Sequence, residues 1–295
     1  MVDVFLQQLV NGLMLGGAYA LVAIGYSLVF GVLKLLHLAH GEVLMVGAFI
    51  GLQTVVWLGL GPVPALISSL LLTALFGIAL EKLAFRSIRK RGGNLLAPMV
   101  STLGAGLVMQ ELATKIFGSE PVRFPGEVES IRYALGPVTI DSVQVLTFAV
   151  SASAMAILHL FVTRTRYGMA MRATSESLST ALLLGINVDN IIVLTFAVAS
   201  GLAGIAGVLI GMSFNAISPF MGVSMGLKGL AAMLIGGLGN IYGAMIGGVL
   251  IGVLEVMCVA YLASSYRDAF AFGAMIVILI LRPRGLFGTA YTMER

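Results

Sequence analysis

The residues with chemistry to offer are few, and they stand inside long apolar runs. The densest group is Lys34, His37, His40 and Glu42, in GVLKLLHLAHGEVLMVGAF (31–49). His37 and His40 are three apart, close enough to share a helix face. A metal centre needs more ligands than this pair, and the sequence shows no second cluster. Two readings stay open. One is a helix break at the membrane boundary, capped by polar side chains. The other is a gate or pathway role for His40, Gly41 and Glu42. There Gly41 permits close backbone approach, and Glu42 faces protein or water rather than lipid.

Other candidates are scattered. Glu255 lies deep in an apolar run, with no partner obvious from the sequence. It faces either the bundle interior or a subunit interface. Lys228 reads as a residue whose stem lies in lipid while its ammonium snorkels to the interface. Asn11, Tyr19 and Tyr26 recur at intervals of seven or eight, about two helical turns, so they share one face. That face should look inward, toward substrate or toward a neighbouring helix. Cys258 is the single cysteine, which excludes an intramolecular disulfide and a cysteine metal site. No G-x-x-x-x-G-K-[ST] loop is present, so ATP hydrolysis by that route is excluded. Neither a Ser-His-Asp nor a Cys-His arrangement is apparent.

The elements that must hold these residues are membrane helices. Of 295 residues 59% are hydrophobic and 10% charged, with a mean hydropathy of +1.05. Soluble domains carry about 25% charged residues, so the bilayer is the solvent that fits. The 37 glycines suit close helix packing in lipid. The net charge of +4 reads as basic loops that orient the chain, not as a nucleic-acid surface. The pattern predicts an all-α polytopic bundle, one transmembrane domain over 1–295. A charge-free first span covers 4–33. Further spans fall at 43–60, 63–84, 95–117, 144–163, 190–212, 220–238, 241–263 and 266–282. The 43–60 and 220–238 stretches are short, Gly-rich and preceded by polar or Pro-containing sequence, so each is a candidate broken or re-entrant helix. The count is therefore eight or nine.

Loop charges set the orientation. The 85–93 loop carries Arg86, Arg89, Lys90 and Arg91 without an acid, and reads as cytoplasmic. The 118–143 loop holds Glu120, Glu127, Glu129 and Asp141, with Pro121, Pro125 and Pro137, and reads as outer. The 164–189 loop and the tail, with Arg282, Arg284 and Arg295, return to the cytoplasm. Nine spans with the N-terminus outside satisfy every loop. GLGPVPALISSLLLTALFG (59–77) resembles GLGNIYGAMIGGVLIGVLE (237–255), a faint repeat whose copies cross in opposite directions, as in the inverted repeats of many transporters.

Within the 164–189 loop, Thr174 and Ser175 read as helix starters, Ala181 to Leu184 as an apolar patch, and Gly185 as the stop. This predicts one short amphipathic helix over 172–185. Either it lies on the bilayer or it docks a soluble partner. The mixed charges of Arg172, Glu176 and Asp189 favour docking.

Taken together, QQLVNGLMLGGAYALVAIGYSLVFG (7–31), AHGE (39–42), RTRYGMAMRAT (164–174), LLGINVD (183–189), LKGLAAMLIGGLGNIYGAMIGG (227–248) and RPRGLFG (282–288) resemble the permease subunits of bacterial branched-chain and neutral amino-acid ABC transporters, the smaller of the two paired permeases. KLLHL (34–38) departs from that family, being more basic and polar than its sequence there. The resemblance implies a translocation subunit in the bacterial inner membrane. Its implied partners are a second homologous permease, two cytoplasmic ATPases and a periplasmic substrate-binding protein. ATP and Mg would sit on the ATPases, and this chain would bind no cofactor. The 172–185 helix would be the ATPase contact, with Arg172, Glu176, Ala181 and Gly185 as its residues. His40, Gly41 and Glu42, with Asn11 and Tyr19, are the pathway or gate candidates. The alternatives are a self-sufficient secondary transporter or channel, and an ABC permease for urea, amides or sugars.

Overall fold

The computed structural model describes residues 2–90, 96–124, 132–136 and 138–288. Arg91, Pro125, Glu127, Glu129, Pro137 and Arg295, used above to orient the loops, lie outside the described residues. The helices in chain order are α1 (Val2–Leu33), α2 (His40–Leu58) and α3 (Pro62–Leu80). A π-helical turn (Glu81–Phe85) extends α3 into α4 (Arg86–Lys90), and α5 (Leu96–Phe117) follows. An antiparallel hairpin of β1 (Arg132–Leu135) and β2 (Val138–Asp141) precedes α6 (Ser142–Arg164). Then come α7 (Arg166–Glu176), α8 (Leu178–Leu183), α9 (Val188–Phe214), α10 (Met221–Gly236), α11 (Ile241–Tyr261) and α12 (Arg267–Leu281).

Among the described residues, eight helices are long and apolar enough to cross a bilayer. A ninth, α10, is apolar but has only 16 residues. Of the two suspect stretches, 43–60 is part of a full 19-residue helix, α2, and 220–238 is the short one. At 1.5 Å per residue α10 spans about 24 Å, short of a core of about 30 Å.

The faint repeat is real architecture. Helix α1 packs on α11 as α9 packs on α3, and α2 packs on α9 as α10 packs on α1. Two non-glycine residues among those described have positive φ, Lys34 at 55° and Asn215 at 48°. They end α1 and α9 in the same way, and α2 and α10 each begin six positions later, at His40 and Met221. Both short linkers carry the chain back into the bundle, so α2 and α10 start in its interior. The directions are opposed. Helix α2 runs toward the end where Phe49 stacks on Phe117, near the last turn of α5. Helix α10 runs toward the basic end, where the 282–288 segment caps it.

Glycine makes this packing possible, because helices in lipid gain from contact rather than from the hydrophobic effect. A methyl on Gly12 would come within 2.7 Å of the Val253 backbone, and one on Gly16 within 2.7 Å of that of Val249, which fixes α1 against α11. Helices α1 and α9 are the most enclosed, and α12 is almost wholly peripheral. The RPRGLFG segment has a structural task. Leu286 N donates to Ile235 O (2.8 Å) and Phe287 N to Gly236 O (3.0 Å), satisfying carbonyls that the end of α10 leaves open.

The 172–185 segment is two helices rather than the single one expected. Thr174 and Ser175 start nothing: their hydroxyls donate back to Ala170 O and Arg172 O inside α7. The break falls at Ser177, whose side chain caps α8 by accepting from Thr180 N. Gly185 does end the segment, at φ 77°.

Candidate functional site

The HGE residues open α2 inside the bundle, against the start of α10. A Cβ on Gly41 would strike the Gly222 carbonyl and stand 2.8 Å from Gly226 Cα. The two helix starts therefore touch backbone to backbone, which only glycine allows. His40 is fully buried, its ring 4.6 Å from that of Tyr26, in the space left by Gly25. His37, in the linker, packs between Phe85 (5.6 Å) and Phe196 (5.2 Å). Glu42 is also buried, its carboxylate against Gly222 and its stem against Gly106. Its carboxyl thus lies beside the first turns of α2 and α10. No group of three metal-ligating side chains occurs among the described residues.

At the end of the bundle away from the basic loops lies a cavity of about 760 Å³, with Asn11, Asp141, Gln144, Phe124, Phe214 and Asn215 in its wall. Asn11 organises it. Its Oδ1 accepts from Gln7 (2.9 Å) and Gln144 (3.0 Å), and its Nδ2 donates to Gln8 (3.1 Å). Gln7 in turn bonds the backbone of Thr139, so α1, α6 and the hairpin share one polar network.

Tyr19 serves a different assembly. Its hydroxyl donates to Glu255 Oε1 (3.2 Å). Glu255 is also held by Lys228 Nζ (3.0 Å) and Arg267 Nε (3.2 Å), and Lys228 reaches Asp268 (3.0 Å). The expectation for Lys228 is therefore corrected. It does not snorkel; it is 1% exposed and ion-paired. Glu255, which the sequence left without a partner, has three. These partners come from α1, α10 and the start of α12, and no sequence spacing links them.

On the basic end, Asp189 at the start of α9 bridges Arg86 (2.9 Å) and Arg89 (2.8 Å). Arg89 also pairs with the fully buried Glu81 (3.3 Å). Sequence reasoning took these arginines as orienting charges only. Nearby, Arg172 and Glu176 are exposed on α7, while Ala181 is buried and anchors α8. Leu182, Leu183 and Leu184 stand out from the surface, Leu183 at 89% exposure. The structure thus brings together His40, Gly41 and Glu42. Asn11 and Tyr19 lie apart from them and from each other.

Residues 8–279 match the family described as branched-chain amino acid transport system / permease component. The chain is 40% identical over 296 residues to the high-affinity branched-chain amino acid transport system permease protein BraD of Pseudomonas aeruginosa, covering 96% of each. It is 33% identical to the LivH protein of the same description from Escherichia coli K12, again over 96% of each. Among solved structures, PsaBC from Streptococcus pneumoniae in complex with Fab superposes with a TM-score of 0.53 at 15% identity, over 96% of this chain and 97% of that one. At that identity the likeness is one of fold.

Proposed function

Because the chain belongs to the branched-chain amino acid permease family, we propose that it is the translocation subunit of an ATP-driven importer of branched-chain or other neutral amino acids. It acts as one transmembrane permease domain in a bacterial inner membrane, with the basic end cytoplasmic. The outer loop 118–143 and the Asn11 cavity face a substrate-binding protein. A second permease completes the pathway, and two ATPases holding ATP and Mg supply the energy. This chain holds no cofactor.

The observation that supports the ATPase contact best is the α7–α8 elbow. Three consecutive leucines project from the basic end beside Arg172 and Glu176. Gly185 closes α8, and the buried Ala181 ties it to the bundle, so a push on the elbow reaches α9. The HGE junction is then the pivot between α2 and α10, and Tyr19 anchors the outer ion cluster. In a co-purification assay, Arg172→Ala with Glu176→Ala should lower ATPase recovery while membrane insertion stays intact. Unchanged recovery overturns the assignment of the elbow.

A further inference from the structure

Helix α3 runs through the π-turn into α4 without a break, and within that turn the helix holds one residue too many. Arg86 N donates to Glu81 O, five residues back rather than four. On the bilayer side of the turn, α3 is clamped to α9. A methyl on Gly77 would strike Ser200 and stand 2.9 Å from Phe196 O. On the basic side, Arg86 and Arg89 hold Asp189 at 2.9 and 2.8 Å. Asp189 is in the first turn of α9, just past Gly185, where the elbow ends. Phe85 closes the π-turn and is buried, its ring 4.9 Å from Phe196 and 5.6 Å from His37. His37 lies in the linker that carries the chain into the HGE junction. One short path of contacts thus runs from the elbow to the start of α2.

We infer that Asp189, with Arg86 and Arg89, is the latch that couples the elbow to the HGE junction, and that the π-turn is the register switch it works. This rests on the reading of the elbow as the ATPase contact. A π-turn has two discrete arrangements, with its extra residue kept or passed along the helix. Passing it on turns Phe85 and α4 by about 100° and shifts them by about 1.5 Å. That takes the Phe85 ring off His37 and frees the linker ahead of α2. The two clamps differ in kind. The one at Gly77 is backbone against a small side chain and cannot slide. The one at Asp189 is made by long guanidinium side chains, which follow the first turn of α9 when the elbow moves. Glu81 holds the observed register. It is fully buried and paired with Arg89 at 3.3 Å across the turn. Drawing Arg89 away strips a buried carboxylate of that pair, which is costly. The register therefore does not drift, and changes only under load from the elbow.

The test uses the intact assembly in proteoliposomes, with its binding protein, ATPases and second permease. Leucine uptake and ATP hydrolysis are measured together, and amide exchange across 81–89 is followed with and without a non-hydrolysable ATP analogue. In wild type the analogue should change that exchange at least three-fold. Asp189→Asn should keep its ATPases and its unfolding midpoint, because the Asp189 side chain is 33% exposed. It should lose the nucleotide response and move at least five-fold less leucine per ATP hydrolysed. Asp189→Glu should restore both. Arg86→Gln, which leaves Arg89 in place, should move at least two-fold less. Unchanged leucine per ATP in Asp189→Asn, or a nucleotide response that persists there, overturns the latch and leaves the function reading standing. So does a parallel fall in ATPase recovery and midpoint, which would mark a merely structural pair. Failure of the wild-type assembly to take up any neutral amino acid with ATP overturns the function reading itself.

Discussion

Lys228→Met removes one cation from the ion cluster while keeping a flexible stem of similar reach. Lys228 contacts two carboxylates at 3.0 Å. The Asp268 contact is mostly exposed, and pairs of that kind contribute about 0–1 kcal/mol. Glu255 is 1% exposed. Stripping a buried ion of its partner costs about 3–5 kcal/mol. Glu255 keeps Arg267 and Tyr19, so the low end applies, and the expected loss is about 3 kcal/mol. The double variant Lys228→Met/Glu255→Gln removes both charges, while the new amide still offers an acceptor to Tyr19. It should lie within about 1 kcal/mol of wild type, a coupling of about 2 kcal/mol or more. The assay is the apparent unfolding midpoint of the detergent-purified chain. At roughly 2–4 °C per kcal/mol, the single variant should melt about 6–12 °C early and the double about 4 °C early or less. A single variant within about 2 °C of wild type, or a double as unstable as the two singles summed, would refute the claim that the pair is buried and coupled.

Gly41→Val should abolish monodisperse folded protein, because its branches meet the backbone of Gly222 and Gly226. Gly273→Ala, where the added methyl meets open space, should be tolerated, as size-exclusion profiles of both would show. Leu183→Asp should cut ATPase co-purification at least ten-fold without moving the unfolding midpoint, since the side chain is 89% exposed. Ser119→Cys and Ser179→Cys should react with an impermeant maleimide from opposite sides of intact vesicles. The native Cys258 is buried and should stay silent, so wild type is the blank. Labelling of both from one side would refute the crossing of the membrane by α6.

The membrane bundle was legible because it rests on composition and length, which no tertiary detail can hide. The interruptions before α2 and α10 were legible too, although α2 is a full-length helix and only α10 is short. KLLHLAHGE and SFNAISPF interrupt apolar runs with residues that a lipid-facing helix could not hold. The repeat was faint in sequence because its copies conserve helix ends and small residues rather than side-chain identity. Its clearest trace, positive φ at Lys34 and Asn215, carries little compositional signal, since neither residue is glycine. The Lys228–Glu255 pair was missed for a different reason. The sequence shows both ions, but their meeting depends on how α10 crosses α11, and no spacing encodes that. Arg86 and Arg89 were read as loop charges because Asp189, 100 or more positions away, gives no local hint. The single 172–185 helix failed on a local rule. Ser177 is as good a cap as Thr174 or Ser175, and packing of Met171 and Thr174 kept the earlier residues inside α7.

As proposed above, this chain is a pathway driven by other subunits. The direct measurement is leucine uptake into proteoliposomes reconstituted with this permease, its companion permease, both ATPases and the binding protein, and then with each component omitted in turn. Uptake should require every component and ATP, and should vanish when this chain is left out. Concentrative uptake by this chain alone without ATP, or undiminished uptake in its absence, would contradict the account.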